Sequence, residues 1–133
     1  MPARVLIVED YEDAREMYAL YLASVGYAVD LAADGHQALA RARAQRPDVI
    51  VLDIALPKLD GLAVIRVLRG EESTARVPII TLSASAGPQV SAAAVEAGAD
   101  LVLEKPCLPD DLEMAIRRFV PKGSPDESSR NAS

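Results

Sequence analysis

Apolar residues succeed one another along this chain in two rhythms. Val5-Leu6-Ile7-Val8, Val49-Ile50-Val51-Leu52, Pro78-Ile79-Ile80-Thr81-Leu82 and Leu101-Val102-Leu103 are short unbroken runs. They read as strands buried on both faces, because a parallel strand with helices above and below it has no wet side. A further run, Ala28-Val29-Asp30-Leu31-Ala32, is broken by a charge and suits an edge strand. Between the runs the spacing changes to three and four residues. Ala14, Met17, Tyr18, Tyr21 and Val25 predict an amphipathic helix with Gly26 as its C-terminal cap. Asp34 can cap a second helix, which turns Ala38, Leu39 and Ala42 to the sheet and ends before Arg46-Pro47-Asp48. A third helix is predicted from about Gly61 to Arg69 after a loop through Pro57, and a fourth near Val90 to Ala97. In a fifth, Leu108, Leu112, Ala115, Ile116 and Phe119 make one stripe. Strand and helix alternate five times, which predicts an α/β doubly wound parallel sheet with right-handed crossovers.

Composition narrows this picture. The 133 residues suit one domain, spanning 1–120. Residues 121–133 are rich in Ser, Pro, Gly and Asn and carry too little apolar surface to order themselves, so a flexible tail is expected. A net charge of -6 opposes attraction to nucleic acid and anionic lipid, and direct nucleic-acid binding is not expected. The single cysteine, Cys107, cannot form an internal disulfide. With neither an export signal nor a run of ~20 apolar residues, the chain reads as soluble and cytoplasmic, without membrane insertion.

Each unbroken apolar run ends in polar residues. Glu9-Asp10 comes after the first run, Asp53 after the run ending at Leu52, Ser83 after the run ending at Leu82, and Glu104-Lys105-Pro106 after the last. In a parallel sheet these residues emerge along the edge where open α/β sheets bind ligands. Three carboxylates, a hydroxyl and an ammonium would then share a pocket suited to magnesium and a phosphoryl group. Taken singly, each has a plainer reading. Glu9-Asp10 would be a solvated acidic turn before a helix, Ser83 a strand-end hydroxyl and Lys105 a surface charge. Their agreement at matching strand ends points to chemistry. His36 sits among polar neighbours as a solvated side chain, Cys107 as a buried inert thiol, and Tyr18 and Tyr21 as core.

Residues 1 to about 120 resemble the receiver domain of two-component response regulators. The resemblance is carried by Glu9-Asp10, by Asp53 with Leu56-Pro57-Lys58-Leu59-Asp60-Gly61, and by Ser83-Ala84, Gly98-Ala99-Asp100 and Lys105-Pro106. It implies a flavodoxin-like five-stranded sheet in the order 2-1-3-4-5 with five helices. It also implies Mg2+ held by Asp10, Asp53 and the Ala55 backbone carbonyl. Glu9, standing where aspartate is more frequent, would act directly or through water. Asp53 would be the phosphoacceptor, taking its phosphoryl group from a phosphohistidine of a sensor histidine kinase or histidine phosphotransfer protein. Lys105 and Ser83 would meet the phosphoryl oxygens, with the Lys105–Pro106 bond cis. Phosphorylation would draw Ser83 and Lys105 toward Asp53, shift the fourth helix and fifth strand, and change contacts with an unknown downstream target protein. The chain departs from the family at Val102, a position commonly held by an aromatic that moves inward on activation. A valine has no ring to swing.

The expected function is thus a stand-alone receiver, a phosphoacceptor rather than an enzyme. The alternative is a phosphorelay intermediate or phosphate sink without conformational output, and Val102 favours either that or an atypical switch. A haloacid-dehalogenase-like phosphatase would also form an aspartyl phosphate, but it wants a second aspartate as general acid two residues after the nucleophile, where this chain has Ala55. A cobalamin- or flavin-binding module would want a glycine at residue 39, which is Leu39.

Overall fold

The computed structural model describes residues 2–55, 60–84 and 88–120. Leu56, Pro57, Lys58 and Leu59 of the motif after Asp53, and the tail 121–133, lie outside the described residues. The elements alternate as β1 (Arg4–Val8), α1 (Glu12–Ser24), β2 (Ala28–Ala32), α2 (Gly35–Gln45), β3 (Val49–Asp53), α3 (Gly61–Gly70), β4 (Ile79–Ser83), α4 (Pro88–Ala97), β5 (Leu101–Glu104) and α5 (Pro109–Arg117). All strand pairs are parallel, and the sheet runs β2-β1-β3-β4-β5. This is the doubly wound, flavodoxin-like order that the family resemblance implied.

Successive strand residues point to opposite faces, so the unbroken apolar runs supply two cores at once. Leu6, Val8, Ile50, Leu52 and Ile79 pack under α2, α3 and α4, against Ala38, Leu39, Val64, Ile65, Leu68 and Ala94. Val5, Ile7, Val49, Val51, Ile80 and Leu82 pack under α1 and α5, against Tyr18, Leu22, Leu112 and Ile116. Each fully buried aliphatic side chain contributes roughly 1.5–3 kcal/mol, so the three central strands are anchored from both faces. The strand ends are therefore fixed points for whatever side chains they carry. The edge strand β2 buries only Ala32, and its Asp30 accepts a hydrogen bond from Arg4 at 2.9 Å.

Two helical stripes differ from the sequence reading. On α1 the buried seam runs through Tyr18 and Leu22, while Met17 is exposed. Leu22 lies one turn beyond Tyr18, whereas Met17 is rotated ~100° away from that line. On the last helix Leu108 is not part of the stripe. It is the residue before Pro109 opens α5, has extended backbone, and is exposed. The caps obey local chemistry. Asp34 accepts from the Gln37 amide at 2.9 Å and Asp60 from the Ala63 amide at 2.8 Å, each using its carboxylate on a free N–H of the first turn. At the end of α4, Gly98 takes φ +126, and Asp100 accepts from the Ile79 amide and from Arg69, both at 2.8 Å. Gly98-Ala99-Asp100 thus joins α4 to β5.

Candidate functional site

Register brings the polar strand ends together. Val8 is paired with Leu52, Asp53 with Leu82, and Ser83 with Glu104, so the residues beyond them leave the sheet along one edge. Between β1 and β3 the chain winds off in opposite directions, because β2 lies beyond β1 and β4 beyond β3. The crevice opened there is the one open α/β sheets use for ligands. Glu9, Asp10 and Asp53 meet in it, with one carboxylate oxygen of each within 4.8 Å of the others.

Glu9 and Asp53 are buried, while Asp10 is exposed. Lys105 reaches both buried acids, its Nζ donating to Glu9 Oε1 and to Asp53 Oδ2 at 2.8 Å each. The remaining carboxylate oxygens accept from backbone. Asp53 Oδ1 takes the Ala55 amide at 3.0 Å, and Glu9 Oε2 takes the Tyr11 amide at 3.2 Å. The Lys105–Pro106 bond is cis. The Lys105 amide donates to the Ser83 carbonyl at 2.8 Å, which continues the β4–β5 ladder up to the site.

Electrostatics are governed by this crowding. Burial pushes the Glu9 carboxyl above its ordinary value of 4.5; the Lys105 hydrogen bond opposes this, and the Asp53 charge adds to it. For Lys105, burial works against the ammonium, but hydrogen bonds and charges from Asp53 and Glu9 outweigh it and hold its pKa above the usual lysine value. Lys105 is thus held charged, its cation facing two carboxylates. An all-oxygen donor set, with two members buried and one open to solvent, suits a hard dication that keeps several waters.

The structure also places the other residues singled out from sequence. Ser83 is buried at the end of β4, and Ala55 is exposed two residues beyond Asp53. Val102 is half-buried, packed against the core under α2, α3 and α4. His36 is exposed; Cys107 is half-buried, and burial, with the charges of Asp111 and Asp110, raises its thiol pKa. Three contributors are given no part in the site by sequence, although Gly61 stands in the motif after Asp53 and Tyr18 reads as core. Gly61 lets α3 approach the turn after Asp53, its amide donating to the Ile54 carbonyl at 2.9 Å. Tyr18 donates from its hydroxyl to the Cys107 carbonyl at 2.7 Å, beside Lys105-Pro106. Arg15 donates from Nη1 to the Glu9 carbonyl at 2.9 Å. For Gly61, a glycine directly after a capping aspartate was the available signal; for the other two, local sequence holds none.

Comparison with known proteins places these features in context. Residues 5–117 match the family model described as the response regulator receiver domain. Response regulator MprA of Mycolicibacterium vanbaalenii is 38% identical over 129 residues, covering 97% of this chain and 55% of its own. Response regulator MprA of Mycobacterium tuberculosis H37Rv is 37% identical over 131 residues, covering 98% of this chain and 56% of its own. The chain therefore spans about half the length of these curated relatives. Among solved structures, the chemotaxis protein CheY4 of Vibrio cholerae superposes with a TM-score of 0.86 at 32% identity, covering 90% of this chain and 100% of that one. The receiver domain of sensor histidine kinase PA1611 from Pseudomonas aeruginosa superposes with a TM-score of 0.82 at 37% identity, over 90% of this chain and 98% of that one. That structure holds a magnesium ion coordinated in its active site cleft.

Proposed function

Because the chain belongs to the response regulator receiver domain family, we propose that it accepts a phosphoryl group on Asp53 from a phosphohistidine of a sensor histidine kinase or histidine phosphotransfer protein. One observation carries the assignment to Asp53. Of the two buried carboxylates that Lys105 holds at 2.8 Å, it is the one that belongs to a strand, closing β3 at the centre of the sheet, while Glu9 follows β1. The same ammonium, shared with Glu9, is held charged. In the transfer a carboxylate oxygen of Asp53 forms a bond to phosphorus as the phosphorus–nitrogen bond breaks, and the bonding pair leaves on the imidazole nitrogen. Lys105 can then pair with a phosphoryl oxygen without leaving the site. Asp10, Asp53 and the Ala55 carbonyl would hold Mg2+, which when bound neutralises charge on the phosphoryl oxygens. Glu9, buried beside them and held by the same Lys105, would take part directly or through water. Ser83 supplies a further hydroxyl for the phosphoryl group.

A shallow groove beside Lys105, lined by Tyr11, Met17, Ala84 and Leu108, gives the donor protein an apolar place to rest near Asp53. The chain acts in this reading as the acceptor of one transfer. Incubation with Mg2+ and acetyl phosphate should add one phosphoryl group by intact mass, and Asp53→Ala should abolish it. Retention of the label in that variant would reject Asp53, and sustained release of phosphate from small phosphoesters would favour the phosphatase class instead. Val102, which already fills its place against the core, favours a second reading in which the label passes onward without a conformational output. A pull-down showing the same partners with and without acetyl phosphate would support that relay role. Partners gained on phosphorylation would support a switch.

A further inference from the structure

Every hydrogen-bonding atom of Glu9 is engaged. Its amide donates to the Ala32 carbonyl at 3.0 Å, its carboxylate oxygens accept from Lys105 and Tyr11, and its carbonyl accepts from Arg15 at 2.9 Å. Three of these partners are backbone groups or the site lysine. The fourth is a side chain reaching back over the first turn of α1, from six residues away, to the peptide that joins Glu9 to Asp10. Asp10 is exposed, and no described contact fixes its carboxylate. Its aim into the crevice therefore depends on the plane of that peptide, and Arg15 holds the plane from the helix side.

We propose that Arg15 is a positioning residue for the acidic corner: its guanidinium fixes the Glu9–Asp10 peptide and so presents the Asp10 carboxylate to the dication. This rests on the reading of Asp10 and Asp53 as the magnesium ligands. Two physical effects of Arg15 have opposite signs, which makes the inference testable. As a mere positive charge beside the site, Arg15 would repel a dication, and its removal would tighten binding. As a positioning group it aids binding, and its removal loosens the site; outer-shell partners of metal ligands typically account for about 10- to 100-fold in affinity.

The test is calorimetric titration of the full chain with Mg2+, using wild type, Arg15→Ala and Arg15→Lys, with thermal unfolding to check that each variant is folded. Expected is a loss of about 10-fold in Mg2+ affinity for Arg15→Ala, with Arg15→Lys, which keeps a cationic N–H donor on a shorter side chain, between the two. Equal or tighter binding by Arg15→Ala, or an Arg15→Lys no better than Arg15→Ala, overturns the inference while leaving the site assignment intact. Failure of the wild type to bind Mg2+ overturns the site assignment and this inference with it.

Discussion

Gly61→Ala adds one methyl group where α3 meets the turn after Asp53. A Cβ there would lie 2.7 Å from Ile54 Cα, 2.8 Å from Ile54 O and 2.9 Å from Asp53 O. Carbon atoms in contact normally stand ~3.5–4.0 Å apart, so either the helix start or the turn must retreat by about 1 Å. All of these obstacles are backbone, and none can rotate aside as a side chain would. Overpacking of this kind costs about 1–3 kcal/mol. Against it stands the helix preference of alanine over glycine, about 1 kcal/mol. The two together leave a net loss of up to about 2 kcal/mol by urea denaturation. Function should suffer more than stability, because the atoms that move belong to Asp53 and Ile54. A misplacement of ~1 Å at a reacting group costs roughly 100-fold in rate, read here as the initial rate of phosphorylation by acetyl phosphate. Gly70→Ala at the far end of the same helix is the control. Nothing lies within 4 Å of its added Cβ, so a gain of about 0.4–1 kcal/mol with an unchanged rate is expected. A Gly61→Ala protein as stable and as fast as wild type would refute the reasoning.

Lys105→Met should leave Glu9 and Asp53 facing one another without their shared cation, at a cost of about 3–5 kcal/mol near neutral pH. Losing the ammonium removes an influence that lowers the Glu9 pKa, so the folded state keeps a proton that the unfolded chain releases above about pH 4.5. The variant's stability should fall more steeply than wild type as pH rises from 5 to 8; parallel pH curves in urea denaturation would contradict this. Cys107 should react slowly with iodoacetamide, its rate–pH midpoint above the ordinary thiol value of 9.0, because burial and the charges of Asp111 and Asp110 disfavour the thiolate. A midpoint at or below that value would show the side chain to be open.

Much of this protein is legible without coordinates. Runs such as Val49-Ile50-Val51-Leu52 announce buried parallel strands because each of their faces must be apolar, and a polar residue at the end of such a run has to emerge at the sheet edge. Glu9, Asp10, Asp53 and Lys105 were therefore recognisable as candidates, and the strand order brought them to one crevice. Helix faces were harder. Met17 and Leu22 are both apolar residues of α1, and only the packing of that helix against the sheet decides that Leu22 is buried and Met17 left in solvent. Leu108 continues a periodic pattern, yet Pro109 starts the helix one residue later and turns Leu108 outward.

Local order in the chain thus determined the elements, their alternation and the identity of the candidate site groups, since these depend on side-chain chemistry and short-range periodicity. Tertiary structure decided which oxygen meets which donor. Lys105 lies 96 residues from Glu9 and 52 from Asp53, and its choice to bridge them depends on register across the sheet. So does the closeness of Gly61 to Ile54, and the reach of Arg15 back to Glu9 depends on the angle at which α1 leaves β1. Such distances are set by the packing of whole elements on one another, which no window of neighbouring residues contains.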